Sequence, residues 1–472
     1  MKKANYRHTK IVFTAGPATE SDAMLEAMIR DGADVCRINM AHATGEQAAA
    51  LAERVRRATT PAGREIALLM DVKGPEVRTA SVAEPLALAV GDWLDFTVGE
   101  AAAADGVRAV GVNYAGLVED VRPGTVMLVD SGLLRLEIVE VRADRVRCRV
   151  LTAGTLGSKR HINLPGVHVR LPALTAKDRE DVAAGVGAGF DFFALSFVRH
   201  GDDVRALREL LQQLGSSARI VAKIEDQSAL RNLEDIVQAA DAVMVARGDL
   251  GIEIPYASLP GVQEQILAVA LREGKPVIVA TQLLESMISS PMPTRAEITD
   301  VWHAVRSQAD AVMLSGETTV GRYPRECVEV LRNIIREVEP RAVRELNRTI
   351  VLATPKAKML RAAAVLAGEL GGSIIVFTRS GFLAGALSAL RPGGVPIYAF
   401  TDVPEVFRQM LLFWGVEPFL IPFSDDCEQT ILDAFEYLKR REWSRVGDPV
   451  AVITNVLARE HIIDTIQVRE VK

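Results

Sequence analysis

Short, almost wholly apolar segments recur along the first 340 residues, and amphipathic stretches separate them. Eight such segments are found, at Lys10–Thr14, Val35–Met40, Ala67–Val72, Phe192–Val198, Ile220–Glu225, Ala242–Arg247, Pro276–Gln282 and Ala311–Ser315. Apolar runs of this length are typical of parallel strands that are buried on both faces. Helical periodicity marks the stretches between them, at Glu20–Asp31, Val204–Leu214, Pro260–Glu273 and Arg325–Glu337. Strand–helix units in such a series predict a (β/α)₈ barrel of the TIM type.

The series is interrupted after the third segment, where residues 78–172 lose helical periodicity. Polar and apolar residues alternate in Leu136–Val141 and Arg145–Val150, with Ala143 and Asp144 between them. This pattern predicts a β-hairpin. We therefore predict a small, β-barrel-like domain inserted in a barrel loop, where such insertions commonly act as lids.

A third pattern begins after Glu339. Helical stretches alternate with the apolar segments Ser373–Thr378, Pro396–Phe400 and Pro449–Thr454, which predicts an open-sheet α/β domain. The predicted division is therefore barrel (1–72), inserted lid (73–170), barrel (171–340) and C-terminal α/β domain (341–472).

Composition excludes several classes of protein. The chain is 49% hydrophobic and 25% charged, with a net charge of -6 that argues against general nucleic-acid affinity. No apolar run approaches the ~18–20 residues of a membrane span, and the first residues lack the apolar core of a signal peptide. The four cysteines have no CxxC spacing, which predicts free structural thiols. These features predict a cytoplasmic protein.

Polar residues collect where the predicted strands end, which is the end of a barrel that carries its chemistry. Lys223 and Glu225 lie two residues apart on one strand and therefore point to the same face. Glu225 and Asp249, on adjacent strands, suit Mg²⁺, which takes one or two carboxylates and fills its other positions with water and substrate oxygens. Lys223 is then placed to neutralise charge on a phosphoryl group.

Other strand ends supply groups for anions. Arg37 and Arg78 have the fork geometry that suits phosphate, and Gly248 and Gly251 expose backbone N–H groups after the sixth strand. Each feature alone has an ordinary explanation. Lys223 and Glu225 could form a simple ion pair, and the Arg-Gly-Asp triplet at 247–249 could be an ordinary loop. His42 alone could be structural, and Ser315 has no nearby Asp–His pattern of a hydrolase. The barrel places all of them on one rim, and this joint placement favours an active site.

These residues resemble the pyruvate kinase family over nearly the whole chain. The resemblance rests on the segments Thr9–Val12 with Gly16–Ala18, Asp71–Thr79, Leu156–Lys159 with Asn163–Gly166, Ala222–Glu225, Met244–Pro255, Ala280–Met287, Pro293–Glu297 and Met313–Thr318. It implies phosphoryl transfer from phosphoenolpyruvate to ADP, giving pyruvate and ATP in the last step of glycolysis. It also implies Mg²⁺ and K⁺ as cofactors, allosteric regulation and a homotetramer.

The resemblance also implies a role for each matching residue. Glu225 and Asp249 would hold Mg²⁺, and Lys223 and Arg37 would act on the phosphoryl group. Substrate would further contact Thr281 and the backbone of Gly248 and Asp249, with Thr281 or Ser315 relaying a proton to the enolate. The remaining assignments are nucleotide contacts at Asn39, His42, Arg78, Lys159 and Arg160, K⁺ ligands at Asn39, Asp71 and the Val72 carbonyl, and an effector turn at Thr378, Ser380 and Gly381.

Two departures from the family pattern change the expectations. Ala41 stands where a K⁺-binding serine is usual, while Glu76 stays acidic, so the lysine that replaces K⁺ in some members is absent. We expect the K⁺ site to be weakened. Activity should then depend only partly on K⁺, and the K⁺ concentration required should be high. Leu383 replaces the last hydroxyl of the effector turn, and the loop that closes over a sugar bisphosphate is shortened to Asn455–His461. We therefore expect no activation by fructose 1,6-bisphosphate, while another effector, such as a sugar monophosphate or a nucleotide, stays open.

Two other functions would use part of the same residue set. A barrel lyase or aldolase acting on pyruvate-like acids would also use Glu, Asp, Mg²⁺ and Arg, but it needs no nucleotide clamp such as Arg78 with Lys159. A non-catalytic paralogue would be consistent with the altered K⁺ site, but not with an intact set of Lys223, Glu225 and Asp249.

Overall fold

The computed structural model describes residues 6–62, 64–99, 102–341, 346–458 and 461–472. The chain begins with three parallel strands separated by two helices. These elements are β1 (Lys10–Thr14), α1 (Asp22–Asp31), β2 (Val35–Asn39), α2 (Gly45–Ala62) and β3 (Ala67–Val72). Ser21 caps α1 by accepting a hydrogen bond from the backbone of Met24, and the helix ends at Gly32, whose φ of 119° favours glycine.

An all-β segment follows β3. Its elements are β4 (Leu86–Leu88), β5 (Trp93–Val98), β6 (Arg108–Val112), α3 (Leu117–Asp120), β7 (Val126–Val129), β8 (Leu134–Val141), β9 (Arg145–Val150), β10 (Gly154–Leu156) and β11 (Ile162–Asn163). Six strands form one sheet in the order β11-β7-β8-β9-β5-β6, and β10 pairs with β4. The predicted hairpin is confirmed as β8 and β9, with a register shift between Ile138 and Glu140.

The barrel then resumes and closes. Its remaining elements are α4 (Ala176–Gly187), β12 (Phe192–Leu195), α5 (Gly201–Gln213), β13 (Arg219–Ile224), α6 (Gln227–Arg231), α7 (Leu233–Ala239), β14 (Ala242–Ala246), α8 (Arg247–Glu253), α9 (Leu259–Glu273), β15 (Val277–Ala280), α10 (Arg295–Arg306), β16 (Ala311–Met313), α11 (Gly316–Thr319) and α12 (Pro324–Val338). Four short 3₁₀ helices lie at Pro17–Thr19, Tyr256–Ser258, Glu285–Ile288 and Glu339–Arg341. The closed parallel order β1-β2-β3-β12-β13-β14-β15-β16 confirms the predicted (β/α)₈ barrel.

Three barrel strands end two or more residues earlier than the sequence predicted. β16 ends at Met313 rather than Ser315. β12 ends at Leu195 rather than Val198, and β15 ends at Ala280 rather than Gln282. For β12 and β15 the reason is backbone geometry. Phe197, Thr281 and Gln282 have φ values of 54°, 69° and 54°, in the left-handed region that a strand does not contain.

The C-terminal part is an open sheet covered by helices, as predicted. Its elements are α13 (Pro355–Glu369), β17 (Ser373–Phe377), α14 (Phe382–Ala389), β18 (Ile397–Thr401), α15 (Pro404–Met410), β19 (Val416–Leu420), α16 (Cys427–Arg440), β20 (Pro449–Ala458) and β21 (His461–Glu470). The sheet order is β19-β18-β17-β20-β21, with only the β20–β21 pair antiparallel. The segment predicted as a shortened loop therefore lies largely in two long strands, and its residues Arg459 and Glu460 lie outside the described part of the chain.

The C-terminal domain closes the amino-terminal end of the barrel. Leu411 and Leu412 are fully buried in the same apolar cluster as the side chains that fill the barrel interior. Ion pairs flank this contact, with Arg408 lying 2.7 Å from Asp191 and Arg391 lying 2.6 Å from Asp310. This contact leaves the carboxyl ends of the barrel strands uncovered by the C-terminal domain, on the side where the inserted β domain is attached.

The state of the thiols and the character of the helices are the two features that the composition addressed. All four cysteines belong to the described residues and are free, with Cys36, Cys148 and Cys327 buried and Cys427 exposed. Among the described helices, none combines the length and the apolar character needed to cross a membrane.

Candidate active site

The carboxyl ends of β2 and β3 join Arg37 to Asp71. The Nε atom of Arg37 donates to Asp71 Oδ2 over 2.6 Å, and its Nη1 atom donates to Thr14 Oγ1 over 2.9 Å. Both charged side chains are buried. The guanidinium is therefore held rigidly at the rim with one fixed orientation.

Lys223 lies beside this pair on β13. Its Nζ atom is 3.2 Å from Asp71 Oδ1 and 2.9 Å from Glu225 Oε1. Asp71 thus bridges the two cations that the sequence assigned to the phosphoryl group. The structure brings Arg37, Asp71, Lys223 and Glu225 into one buried network.

The network sets the charge of its members. Burial alone would lower the pKa of Lys223, but Asp71 and Glu225 outweigh it and the pKa lies above its ordinary value. Burial raises the pKa of Asp71, yet Lys223 and Arg37 more than reverse this, so the carboxylate stays ionised. Glu225 differs, because burial and the nearby charge of Asp249 raise its pKa to about 7 in spite of Lys223.

Glu225 and Asp249 fit a divalent cation. Glu225 Oε2 accepts the backbone N–H of Phe197 over 2.7 Å, and Asp249 lies in the first turn of α8, close enough to act electrostatically on Glu225. No group of three or more His, Cys, Asp or Glu side chains converges within the described ranges. Two carboxylates suit Mg²⁺, which fills its other coordination positions with water and substrate oxygens. A cation between them would also relieve the repulsion that, together with burial, raises the pKa of Glu225.

Thr281 follows β15 next to the start of α8. Its Oγ1 atom accepts the backbone N–H of Gly248 over 2.8 Å, so the Gly248 N–H that was predicted to bind substrate already has a partner in the protein. Arg247 binds the Thr281 carbonyl through Nε at 3.2 Å and also through Nη2, while Nη1 donates to Asp300 over 2.7 Å. The Arg-Gly-Asp triplet is thus the first turn of a helix and not a loop.

Ser315 follows β16 on the same rim. Its backbone N–H donates to Glu317 Oε2 over 2.7 Å. Its Oγ atom is buried and has no hydrogen-bond partner among the described residues. Burial of this hydroxyl without a partner leaves its hydrogen-bonding capacity unused within the described residues.

The predicted K⁺ ligands lie together but are already engaged. Asn39 Oδ1 accepts the backbone N–H of Ala41 over 3.0 Å, and the Val72 carbonyl accepts the Ser196 hydroxyl over 2.7 Å. Asp71 is held by Arg37 and Lys223, as described above. The side chain of Ala41 is exposed and offers no oxygen.

The predicted nucleotide contacts divide into two groups. Arg78 lies at the root of the inserted domain, where it binds both oxygens of Glu76 at 2.8 Å and the Lys159 carbonyl at 2.8 Å. Lys159 itself is exposed. The exposed side chain of Arg160 lies 3.3 Å from Asp130, and its backbone N–H donates to Thr79 Oγ1 over 2.8 Å. Asn39 is instead the last residue of β2, and the exposed His42 follows that strand on the barrel rim. The structure therefore joins Arg78 to the backbone of Lys159, while the side chains of Lys159, Arg160 and His42 are exposed.

The predicted effector turn contacts the barrel. Thr378 Oγ1 accepts the backbone N–H of Gly381 over 3.0 Å, which closes the turn. The Ser380 carbonyl accepts Arg219 Nη2 over 3.1 Å. Arg379 forms an ion pair with both oxygens of Asp402, at 3.0 and 2.9 Å from Nε.

Sequence reasoning gave no role to three polar residues of the rim, which are Thr14, Ser196 and Arg247. Ser196 was assigned to a strand interior, although its hydroxyl lies 2.7 Å from Lys223 Nζ. It is the only polar side chain within the predicted strand Phe192–Val198, and this was the signal that could have identified it.

Comparison with known proteins agrees with this geometry. Residues 6–328 match the family model described as pyruvate kinase, barrel domain, and residues 357–469 match the model described as pyruvate kinase, alpha/beta domain. Plastidial pyruvate kinase 2 of Arabidopsis thaliana is 37% identical over 98% of this chain and 81% of its own length. A pyruvate kinase of Agrobacterium vitis is 38% identical over 95% of this chain and 93% of its own.

A solved structure gives the same result at the level of the fold. The crystal structure of a pyruvate kinase from Cryptosporidium parvum superposes with a TM-score of 0.93 at 30% sequence identity. The match covers 100% of this chain and 97% of the other, so it includes the barrel, the inserted domain and the C-terminal sheet.

Proposed function

The chain belongs to the pyruvate kinase family, and from this premise we propose how its barrel rim performs the reaction of that family. The protein is a phosphotransferase that moves the phosphoryl group of phosphoenolpyruvate to ADP, giving pyruvate and ATP in the last step of glycolysis. These matches set aside a lyase, and the complete set of Lys223, Glu225 and Asp249 argues against a non-catalytic paralogue. The roles of single residues, given next, are our proposal.

Arg37 and Lys223 act on the transferring phosphoryl group. Both cations are buried and both are held by Asp71, so they can face the charge of the transition state without reorganising. Glu225 and Asp249 would hold Mg²⁺, which when bound would draw negative charge from the phosphoryl oxygens. Phosphoryl transfer depends mainly on such positioning and charge, which is what this network supplies.

Thr281 and Ser315 act at the pyruvate end of the substrate. The backbone N–H of Gly248 orients the Thr281 hydroxyl, and this turn with Asp249 binds the substrate carboxylate. The unpartnered Ser315 hydroxyl is one candidate for passing a proton to the enolate, and Thr281 is the other. ADP binds opposite, through Asn39, His42, Arg78, Lys159 and Arg160.

The buried Arg37–Asp71–Lys223–Glu225 network is the observation that supports this proposal. An ion pair with a purely structural role needs one cation for Asp71, whereas here both Arg37 and Lys223 contact Asp71 at the barrel rim. The test of the proposal is the release of pyruvate from phosphoenolpyruvate and ADP in the presence of Mg²⁺, with K⁺ titrated from zero. We expect turnover that requires Mg²⁺ and ADP. Binding of ADP without release of pyruvate at any K⁺ concentration would overturn the proposal.

We predict that Ala41→Ser strengthens K⁺ activation. The new hydroxyl would add one oxygen to a set in which Asn39 and Val72 already serve other partners, and oxygen number governs the affinity for such cations. The half-saturating K⁺ concentration should fall about three- to tenfold. It is measured at constant ionic strength with a tetramethylammonium salt, and Ala43→Ser in the same loop is the control. Equal K⁺ curves for wild type and Ala41→Ser would contradict the weakened site.

We predict that fructose 1,6-bisphosphate does not activate the enzyme. Arg379 is already paired with Asp402, the Ser380 carbonyl already binds Arg219, and Leu383 has no hydroxyl for a phosphate. Half-saturating phosphoenolpyruvate should be unchanged by saturating bisphosphate. A several-fold decrease would refute the prediction, and a panel of sugar monophosphates and nucleotides tests for another effector.

The remaining parts of the proposal are the assembly, the domain boundaries and the location. We propose a homotetramer, which rests on the family alone and is tested by light scattering after size exclusion. We also propose the division into domains at residues 72, 170 and 340, which rests on the changes in sequence pattern. The cytoplasmic location stays a prediction, since curated relatives include plastidial enzymes.

A further inference from the structure

Ser196 lies at the centre of the buried network although it has no role in the assignments above. The residue follows β12 and is 4% exposed. Its Oγ atom lies 2.7 Å from Lys223 Nζ, 2.7 Å from the Val72 carbonyl and 3.3 Å from Asp71 Oδ1. One hydroxyl therefore connects the ends of three strands, β12, β13 and β3.

The numbers of protons and lone pairs decide which group donates in the contact between Ser196 and Lys223. A serine hydroxyl has one proton and two lone pairs, while a lysine ammonium has three protons and no lone pair. The Ser196 proton goes to the Val72 carbonyl, which leaves a lone pair for Lys223. The three N–H groups of Lys223 then meet three acceptors, Ser196 at 2.7 Å, Glu225 at 2.9 Å and Asp71 at 3.2 Å.

The backbone of the same turn holds Glu225. Phe197 donates its N–H to Glu225 Oε2 over 2.7 Å from a left-handed conformation with φ of 54°. Such a conformation costs energy in a non-glycine residue and persists only where the surroundings impose it. Gly74 packs against the turn so closely that a Cβ atom there would lie 3.0 Å from the Ser196 carbonyl oxygen.

We propose that Ser196 is a positioning residue that orients the ammonium of Lys223 toward the transferring phosphoryl group. This inference rests on the proposed role of Lys223. Of the three acceptors, Ser196 alone carries no charge, and its contact does not compete with a cation at Glu225. The hydroxyl therefore keeps Lys223 in place when Glu225 has another partner.

Ser196→Ala tests the proposal, with Ser196→Thr to restore the hydroxyl. We expect Ser196→Ala to lower kcat about 10- to 100-fold, with KM for phosphoenolpyruvate within about threefold, because an interaction used in the transition state is lost. Ser196→Thr should recover most of kcat. Ser373→Ala, which removes a buried serine hydroxyl from the C-terminal sheet, is the control and should leave kcat unchanged.

A double-mutant cycle with Lys223→Met separates positioning from structure. If Ser196 acts through Lys223, then Ser196→Ala should cost nothing further in the Lys223→Met background. A full loss in that background, or a wild-type kcat in Ser196→Ala with only a lowered melting temperature, would overturn the inference. Both results leave the proposed function standing, which fails only if the wild type releases no pyruvate.

Discussion

Replacement of Lys223 with methionine should lower kcat about 10³-fold, while the same replacement of Lys10 should leave kcat within about threefold of the wild type. Both lysines are buried on barrel strands, with exposed fractions of 9% and 1%. Lys10 donates to the Val416 carbonyl at the far end of the barrel over 2.6 Å. The pair therefore compares one buried ammonium at the rim with one at the base.

The expected loss follows from the electrostatics of the two lysines. A thousandfold loss corresponds to about 4 kcal/mol of transition-state stabilisation, which a preorganised charge in a buried site supplies. Burial lowers the pKa of Lys10, and Asp34 with Glu417 only partly offsets this. At Lys223, Asp71 and Glu225 reverse the effect of burial and raise the pKa. Only at the rim lysine do the neighbouring carboxylates outweigh the effect of burial.

The raised pKa of Lys223 also predicts the form of the pH profile. A lysine whose pKa is higher in the folded than in the unfolded state stabilises the fold below the ordinary value of about 10.4 and ceases to do so only as the pH rises through the folded value. Lys223 therefore does not titrate between about pH 6 and 9. A break in the kcat profile in that range therefore belongs to another group, and one that belongs to Glu225 should move to higher pH in Lys223→Met, because Lys223 lowers the pKa of Glu225.

Steady-state kinetics with phosphoenolpyruvate and ADP at saturating Mg²⁺ and K⁺ measure this prediction, and thermal unfolding of both variants serves as the control for folding. Lys223→Met with a kcat within tenfold of the wild type would show that Arg37 suffices for the phosphoryl group. A large loss in Lys10→Met together with a normal melting temperature would show that the base of the barrel also controls turnover.

The barrel could be predicted from the sequence because a strand that is buried on both faces must be apolar along its length. Eight such apolar segments are present, and amphipathic stretches separate them. The candidate site followed for a similar reason. A barrel brings the carboxyl ends of its strands together, so Arg37, Lys223 and Asp249 share one rim once the strands are known.

Ser196 shows where that reasoning ends. Its partners, Lys223 and the Val72 carbonyl, lie 27 and 124 positions away in the chain. Nothing in an isolated Leu-Ser-Phe triplet indicates a turn, because the left-handed φ of Phe197 is imposed by contacts with Gly74 and Glu225 and not by local preference. β19 was missed for a related reason, since Glu417 and Pro418 interrupt its apolar pattern and only pairing with β18 makes it a strand.

Arg247→Lys should lower kcat/KM for phosphoenolpyruvate about 10²-fold, although it keeps the charge. Arg247 is 6% exposed, and its guanidinium spans two partners, the Thr281 carbonyl and the Asp300 carboxylate. A lysine ammonium is a point charge and cannot bind both in this fork geometry. Thr281 and Gln282 are consecutive left-handed residues, each of which costs of order 1–3 kcal/mol unless its surroundings impose it.

Without the two-pronged contact of the Arg247 guanidinium, the turn at Thr281 and Gln282 should relax and move the Thr281 hydroxyl away from the substrate. A displacement of about 1 Å lowers a rate about 10²-fold. The matched control is Arg391→Lys, because Arg391 is an equally buried arginine that pairs with Asp310 at the base of the barrel. It should lower the melting temperature but keep kcat/KM within about threefold. Asp300→Asn, which retains an acceptor for Nη1, should lose less than tenfold. If Arg247→Lys loses only stability, as Arg391→Lys should, then the strained turn keeps its shape without the fork and Thr281 is positioned by Gly248 alone.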